Sequence, residues 1–473
     1  MESKLLSNQI SLEDLAKYLE GPLVGGSDSQ RAFPLNVSIN SQEIERGSLF
    51  VAIRGQRLDG HCFVDQAKEK GSVCSVVDKV WFDKDYLEGS SGAVIVVEDT
   101  LKALQKLAVL FRKQFEGPCI GVTGSSGKTT TKEALNYLLS QQWNGVSNYK
   151  NQNNAIGLPL TLLNLSEEQE YVVGELGANH PGEIGALCQI LEPNFGIITN
   201  VYPCHLEGFG DIEAIYKTKL ALAEKVFANN GTMVVFGDDA DLVERVRKLK
   251  GRFLTFGFSE NCDYRITEMT QASDGFLVQV NSEFKFIIRT LARFNVFNVL
   301  SALIVASELG LDLNFLCSCL EQFHFPDSRF QEIEGVRGIR IIHDAYNSNP
   351  TSLRLAVESL ELMKITSRKI LVCADMLELG KDEAKLHFQL GQEIAKKNDI
   401  HTVVAIGPLM KKFIEGIETD QPCDLDHHYF INNERAVEFL KSFLEKKDLV
   451  LFKGSRSTKL EEIIQCFTHG STH

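Results

Sequence analysis

The stretch GVTGSSGKTT, residues 121–130, constrains the fold of this chain more than any other. An apolar approach, Cys119-Ile120, precedes it, and residues 132–139 after it carry apolar side chains at helical spacing. Strand, glycine-rich turn and helix is the local order that makes a phosphate loop. Glycines let the backbone turn tightly, and the N–H groups at the helix start then face an anion. In that arrangement Lys128 reaches the β- and γ-phosphates of a nucleotide and the Thr129 hydroxyl holds Mg²⁺. The full G-x-x-x-x-G-K-[ST] pattern is not met, because Val122 occupies the first glycine position and the shorter T-G-x-x-G-K-T-T remains. A Gly/Ser turn without a ligand is the alternative. The GKTT run in this context favours ATP, with Gly124, Ser125, Ser126, Gly127, Lys128, Thr129 and Thr130 as the binding loop.

A chain of 473 residues implies three domains at ~150 residues each. The net charge of −14 argues against non-specific nucleic-acid binding, which needs a basic surface. Any anionic substrate must therefore be met by local Lys, Arg, backbone N–H groups or metal. No apolar run approaches the ~20 residues of a membrane span. Residues 1–7 lack the basic-then-apolar layout of a secretion signal, which predicts a cytoplasmic protein. The 11 cysteines show no zinc-type CxxC pair, and buried reduced thiols are expected.

Residues 1–116 carry mixed α/β signals: a helix over 12–19 capped by Ser11, strands over 48–53, 73–77 and 93–97, and a helix over 100–115. After the first strand comes the loop RGQRLDGH, in which Arg57, Asp59 and His61 are candidates for a small-ligand site, a solvated surface loop being the alternative. Gly117-Pro118 marks a boundary. Residues 117–324 then alternate strands and helices, as in a doubly wound parallel sheet, whose ligands sit at the carboxyl ends of strands. Glu175, at the end of the strand from 171, and His205, after the strand from 195, should share that edge with Lys128. The amide-rich run at 148–154, with Asn153 and Asn154, suits a polar substrate. Residues 263–290 alternate as antiparallel strands do, and 295–309 read as an apolar helix. Residues 325–473 alternate again, forming a Rossmann-like domain without GxGxxG, so no dinucleotide role is indicated. Polar residues cluster after its strands, among them Tyr346, Asn347 and Asn349. There is no internal repeat.

Taken together, TGSSGKTTTKE, NNAIGLPLTLL, ELGANHPGEI, HLEGFG, DAYNSNP, DMLELG and KGSRS resemble the Mur ligase family, ATP-dependent amide-forming enzymes of bacterial cell-wall synthesis. The resemblance covers nearly the whole chain. It implies a small mixed α/β N-terminal domain (1–116) that binds a UDP-linked substrate, and a central P-loop parallel-sheet ATPase domain (117–324). A C-terminal Rossmann-like domain (325–473) would close on nucleotide and dipeptide. The implied reaction joins D-alanyl-D-alanine to UDP-N-acetylmuramoyl-tripeptide through an acyl phosphate, with ATP and Mg²⁺ as cofactors and a cytoplasmic monomer as the working form.

By the same resemblance Lys128 holds ATP phosphates, and Thr129, Glu175 and His205 hold metal. Asn295 meets adenine, while Arg329 and Asp344 bring the C-terminal domain onto the nucleotide. Ser41 and the Arg57–His61 loop lie where the UDP end is held, and Lys219 matches a lysine that the family carbamylates. The sequence departs from the family pattern at several points. Asp-Ser-Arg is Asn40-Ser41-Gln42, which puts uridine-end contacts in question. Gly-x-His-Asn is Ala292-Arg-Phe-Asn295. The first aspartate of Asp-Asp-[SA]-Tyr is His343, the glycine before Arg329 is Ser328, and the glycine before Asp375 is Ala374. Two other readings are a sibling ligase such as folylpolyglutamate synthase, or a non-enzymatic protein that uses ATP only to change shape.

Overall fold

A computed structural model describes residues 9–26, 29–30, 32–34, 36–55, 57–85, 92–272, 274–365, 367–419 and 425–468. Residues 1–7, which lack a secretion-signal layout, lie outside them. Two compact units emerge, one of Met1–Gly121, Gln142–Leu176 and Gly185–Asn194, the other of Val122–Gln141, Gly177–Ile184 and Phe195–His473. Among the described residues are three large sheets of five, nine and six strands, and a two-stranded antiparallel pair, Gln9–Ser11 with Ala32–Pro34.

The five-stranded sheet runs Leu23–Val24, Val94–Val97, Cys74–Asp78, Leu49–Val51, Val37–Ser38. Its first pair is antiparallel and the rest are parallel. Helix Leu12–Leu19 starts at Ser11, whose Oγ accepts from the Asp14 N–H at 3.1 Å. Helix Thr100–Gln114 is capped by Asp99. The two-residue edge strands are too short to leave a hydrophobic period and are additions to the expected sheet.

The nine-stranded sheet follows the order Phe284–Ile288, Phe276–Val280, Tyr264–Gln271, Arg252–Gly257, Thr232–Phe236, Phe195–Ile198, Cys119–Thr123, Tyr171–Glu175, Gly145–Ser147. Strands Cys119–Thr123 and Tyr171–Glu175 are buried throughout, as parallel strands covered on both faces must be. The three strands from Tyr264 to Ile288 pair antiparallel, so the sheet is mixed. Strand Phe284–Ile288 alternates buried and exposed residues, the pattern that betrayed it in the sequence. Helix Phe294–Glu308 is apolar almost all round because it packs within the domain, partly on helix Lys128–Ser140.

In the six-stranded sheet the order is Gln331–Glu334, Arg340–Asp344, Leu449–Lys453, Lys369–Ala374, Thr402–Ile406, Asp426–Phe430, parallel except for the first strand. Alternate residues of each strand feed two cores. Ile342, Leu371, Val403 and Leu451 go to one, and Ile341, Ile370, Val404 and Val450 to the other. Strand Asp426–Phe430 was not foreseen; Asp-His-His at its start and partial exposure hide it among polar segments.

Candidate functional site

The loop between Cys119–Thr123 and helix Lys128–Ser140 is shaped by two glycines that admit no side chain. Gly124 has φ +151°, and a Cβ there would lie 1.8 Å from Thr199 Oγ1. Gly127 has φ +84°, and its Cβ would lie 2.2 Å from Asn298 Oδ1. A second loop braces the first. The Ser126 N–H donates to Asn200 Oδ1 at 2.9 Å, Thr199 Oγ1 donates to Ser126 O at 2.6 Å, and Ser125 Oγ donates to Tyr202 O at 2.8 Å. Gly127 is the N-cap of the helix and offers no side-chain acceptor, so no cap competes with a ligand for the first-turn N–H groups. Lys128 Nζ donates back to Gly124 O at 2.8 Å. The arrangement suits an anion.

Around the loop the second unit gathers residues distant in sequence. Arg329 Nη2 donates to Thr129 Oγ1 at 3.2 Å, and its guanidinium carbon lies 3.8 Å from the centre of the Tyr346 ring. Arg456 approaches the same ring at 5.2 Å. Asp344 is buried and paired with Lys453 Nζ at 2.8 Å, and Lys453 also donates to Asn347 O at 3.1 Å. Asn349 caps helix Pro350–Leu362 through a capping box with Ser352, and Asn347 Oδ1 accepts from the Ser348 N–H.

His205 sits at φ 49°, a left-handed conformation uncommon for any residue but glycine. Its Nδ1 meets Glu378 Oε2, and Glu378, itself at φ 64°, accepts from the Glu207 N–H at 3.2 Å through its carbonyl. This bond to His205 holds the Glu378 carboxyl below its ordinary range, against the opposing effect of burial. Lys219, on helix Ile212–Ala228, is only 3% exposed. Its pKa is brought down to about 8, chiefly by burial, with Cys204 opposing and the Lys128 cation adding to the fall. Lys217 on the same helix is exposed. Asn295 is buried, donating to Thr290 Oγ1 at 3.1 Å and accepting from Asn298 at 3.2 Å.

In the first unit, Glu175 is 2% exposed at the end of its strand. Its Oε1 accepts from Asn153 Nδ2 at 2.7 Å, while Oε2 is buried without a hydrogen-bond partner. Asn148 braces the Glu175 backbone through both its amide atoms. A buried carboxylate oxygen lacking a donor is what a hard cation satisfies, so Glu175 fits Mg²⁺. No cluster of three or more His, Cys, Asp and Glu able to hold a metal occurs among the described residues, so any cation there must also draw on other oxygen donors. Asn154 Oδ1 accepts from the Ile156 and Gly157 N–H groups.

The RGQRLDGH loop is tied to itself. Arg54 pairs with Asp59 at 2.7 Å and with Asp78 at 2.6 Å. His61 is buried; Nε2 accepts from the Asp78 N–H at 3.0 Å, so Nδ1 carries the proton and donates to Asp59 Oδ1 at 2.6 Å. Ser41 is buried too, donating to Gln66 at 2.6 Å. His61 and Ser41 thus shape the loop from within, whereas Arg57 is exposed.

Three family models match in order along the chain. They are the Mur ligase family catalytic domain over residues 35–112, the Mur ligase middle domain over 122–306 and the Mur ligase glutamate ligase domain over 328–456. The UDP-N-acetylmuramoyl-tripeptide–D-alanyl-D-alanine ligase of Bacillus subtilis (strain 168) is 32% identical over 456 residues, covering 96% of this chain and 97% of that protein. The chain belongs to the Mur ligase family. The ligase of the same name from Escherichia coli (strain K12) is 31% identical, covering 98% and 99% of the two chains. Among solved structures, MurF from Acinetobacter baumannii superposes with a TM-score of 0.84 at 29% identity, covering 96% of this chain and 97% of that one. MurF from Thermotoga maritima in complex with ADP gives a TM-score of 0.80 at 28% identity, covering 91% and 96%.

At the Asn40-Ser41-Gln42 departure, Asn40 Oδ1 caps the Ser41–Glu43 turn, accepting from the Gln42 N–H at 3.0 Å. Asn298 escaped the sequence reading, and Glu378 entered it only as a member of the DMLELG run, with no role of its own. An asparagine three residues after Asn295 inside an apolar helix was a usable signal for the first. Within that run nothing local tied the second to His205.

Proposed function

We propose that this Mur ligase joins D-alanyl-D-alanine to UDP-N-acetylmuramoyl-tripeptide, the two substrates in the relatives' names, and forms ADP and phosphate as it does so. The observation that carries the reading is likeness over essentially the full length of those ligases, together with an anion-ready loop beside Arg329. A peptide carboxylate is a poor electrophile, so it is first phosphorylated by ATP; the free amine of the dipeptide then attacks the acyl phosphate and phosphate leaves. Such chemistry is mostly positioning and charge neutralisation of crowded anions.

Lys128 and the first-turn N–H groups of its helix hold the β- and γ-phosphates. Arg329, docked on the Thr129 hydroxyl, exchanges that acceptor for a phosphate oxygen, while Asp344 holds Lys453. Asn295 supports the adenine end. Thr129, Glu175, His205 and a carbamylated Lys219 are the residues that would hold Mg²⁺, which supplies charge neutralisation for phosphoryl transfer. Lys219 suits carbamylation because burial favours its neutral amine, the form that reacts with CO₂. The region 1–116 takes the UDP end around Ser41, Arg57, Asp59 and His61. Asn153, Asn154, Tyr346, Asn347 and Asn349 serve the peptide ends. Region 117–324 carries the nucleotide, and 325–473 closes on it. The working form is a cytoplasmic monomer; no helix among the described residues is long and apolar enough to cross a membrane.

The test is ADP release with purified protein. It should require both UDP-N-acetylmuramoyl-tripeptide and D-alanyl-D-alanine, and ADP release with neither, or with a folate and glutamate instead, would overturn the reading.

A further inference from the structure

Arg329 stands between two residues in the left-handed region, Ser328 and Phe330, both at φ 59°. L side chains are disfavoured there, so each needs something to hold it. Phe330 is held by burial, 4% exposed and edge-on to Phe294 at 5.7 Å between centroids. Ser328 is only half-buried, and its hold is polar. Its N–H donates to Gln331 Oε1 at 3.2 Å, and its Oγ lies 2.8 Å from His343 Nε2. The contact is set by strand register, since Gln331 and His343 face each other across the antiparallel pair Gln331–Glu334 and Arg340–Asp344.

The proton of that bond can be assigned. His343 is buried, and burial lowers its pKa against the opposing charges of Asp344, Glu461 and Asp327, which leaves the ring neutral at pH 7. Nδ1 is buried with no hydrogen-bond partner. A buried acceptor left unpaired is tolerated better than a buried N–H left unpaired. The hydrogen therefore sits on Nε2 and is donated to Ser328 Oγ.

Glycine takes positive φ unaided; serine does not. We propose that Ser328 and His343 act as one positioning pair, which fixes the backbone just before Arg329, as the burial of Phe330 does just after it, and so keeps its guanidinium against Thr129 and the Tyr346 ring. This rests on the reading of Arg329 as a nucleotide contact.

The experiment uses the full chain and compares Ser328→Ala, His343→Ala, the double variant, Ser328→Gly and His343→Gln. Binding of ADP with Mg²⁺ is measured by titration calorimetry, alongside KM for ATP, kcat and Tm. Each alanine variant should weaken ADP binding and raise KM for ATP about three- to tenfold, the worth of one hydrogen bond. The double variant should be no worse than the weaker single, because one bond is lost in all three. His343→Gln, whose amide can still donate to Ser328, should recover most of the loss, and so should Ser328→Gly, which needs no hold. KM for the UDP-linked peptide should not move. Additive losses, or unchanged ADP affinity in Ser328→Ala, would overturn the pairing. Should His343→Ala fail to fold, Ser328→Ala and Ser328→Gly carry the comparison by themselves. A wild-type chain that binds no ADP would instead overturn the nucleotide reading.

Discussion

Lys217 and Lys219 lie two positions apart on one helix, yet only Lys219 is buried, and burial with a nearby cation brings its pKa to about 8. Between pH 8 and the ordinary value of 10.5 the folded chain holds fewer protons at this site than the unfolded one. Stability must then rise with pH across that window. The urea midpoint of wild type should climb from pH 8 to pH 10 more steeply than that of Lys219→Met. In the proposed mechanism the same neutral amine takes up CO₂. Lys219→Ala should lose most activity, formate or acetate should partly restore it, and ¹³C-bicarbonate should give a carbamate resonance in wild type but not in the variant. Lys217→Ala should ignore the added acids. A fully active Lys219→Ala with no carbamate signal in wild type would end that assignment. Lys128 makes a simpler case: Lys128→Ala should keep its fold, lose turnover and bind ATP weakly in calorimetry, with little change toward the UDP-linked peptide.

At the scale of the element, the phosphate loop was readable because its physics is local. Ten adjacent residues specify the turn, the anion-facing helix start and the lysine. The sequence could not reveal that the same loop leans on helix Phe294–Glu308, where Asn298 fills the space a side chain at 127 would need. Gly127→Ala combines that collision with φ +84° and should cost ~1–3 kcal/mol of stability. Chemical denaturation would show it, and loss of ATP binding should accompany it. Long strands with clear alternation, such as Phe284–Ile288, were equally legible. Two-residue edges such as Leu23–Val24 were not, since no period fits within them. The loop around His61 shows a different limit. Its polar residues suggested a ligand site, but a buried histidine with both ring nitrogens engaged is also how a loop holds its own shape.

Across the whole molecule, motif order along the chain indicated the family, while pairings such as His205 with Glu378, 173 residues apart, exist only after folding. Separate regions contributing to one reaction also imply an order of events. The amine can attack only an activated carboxyl, so hydroxylamine added with ATP and UDP-N-acetylmuramoyl-tripeptide should yield a hydroxamate before any dipeptide is supplied. Release of AMP and pyrophosphate instead would mean adenylation. The bond from Arg329 to Thr129 bears on the speed of that first step. An arginine side chain loses ~2 kcal/mol of rotational freedom when it is fixed. Here the guanidinium is already stacked on Tyr346 and docked on a hydroxyl, so that loss falls on folding and not on ligand capture. An arriving triphosphate trades one acceptor for another on a side chain that is already still.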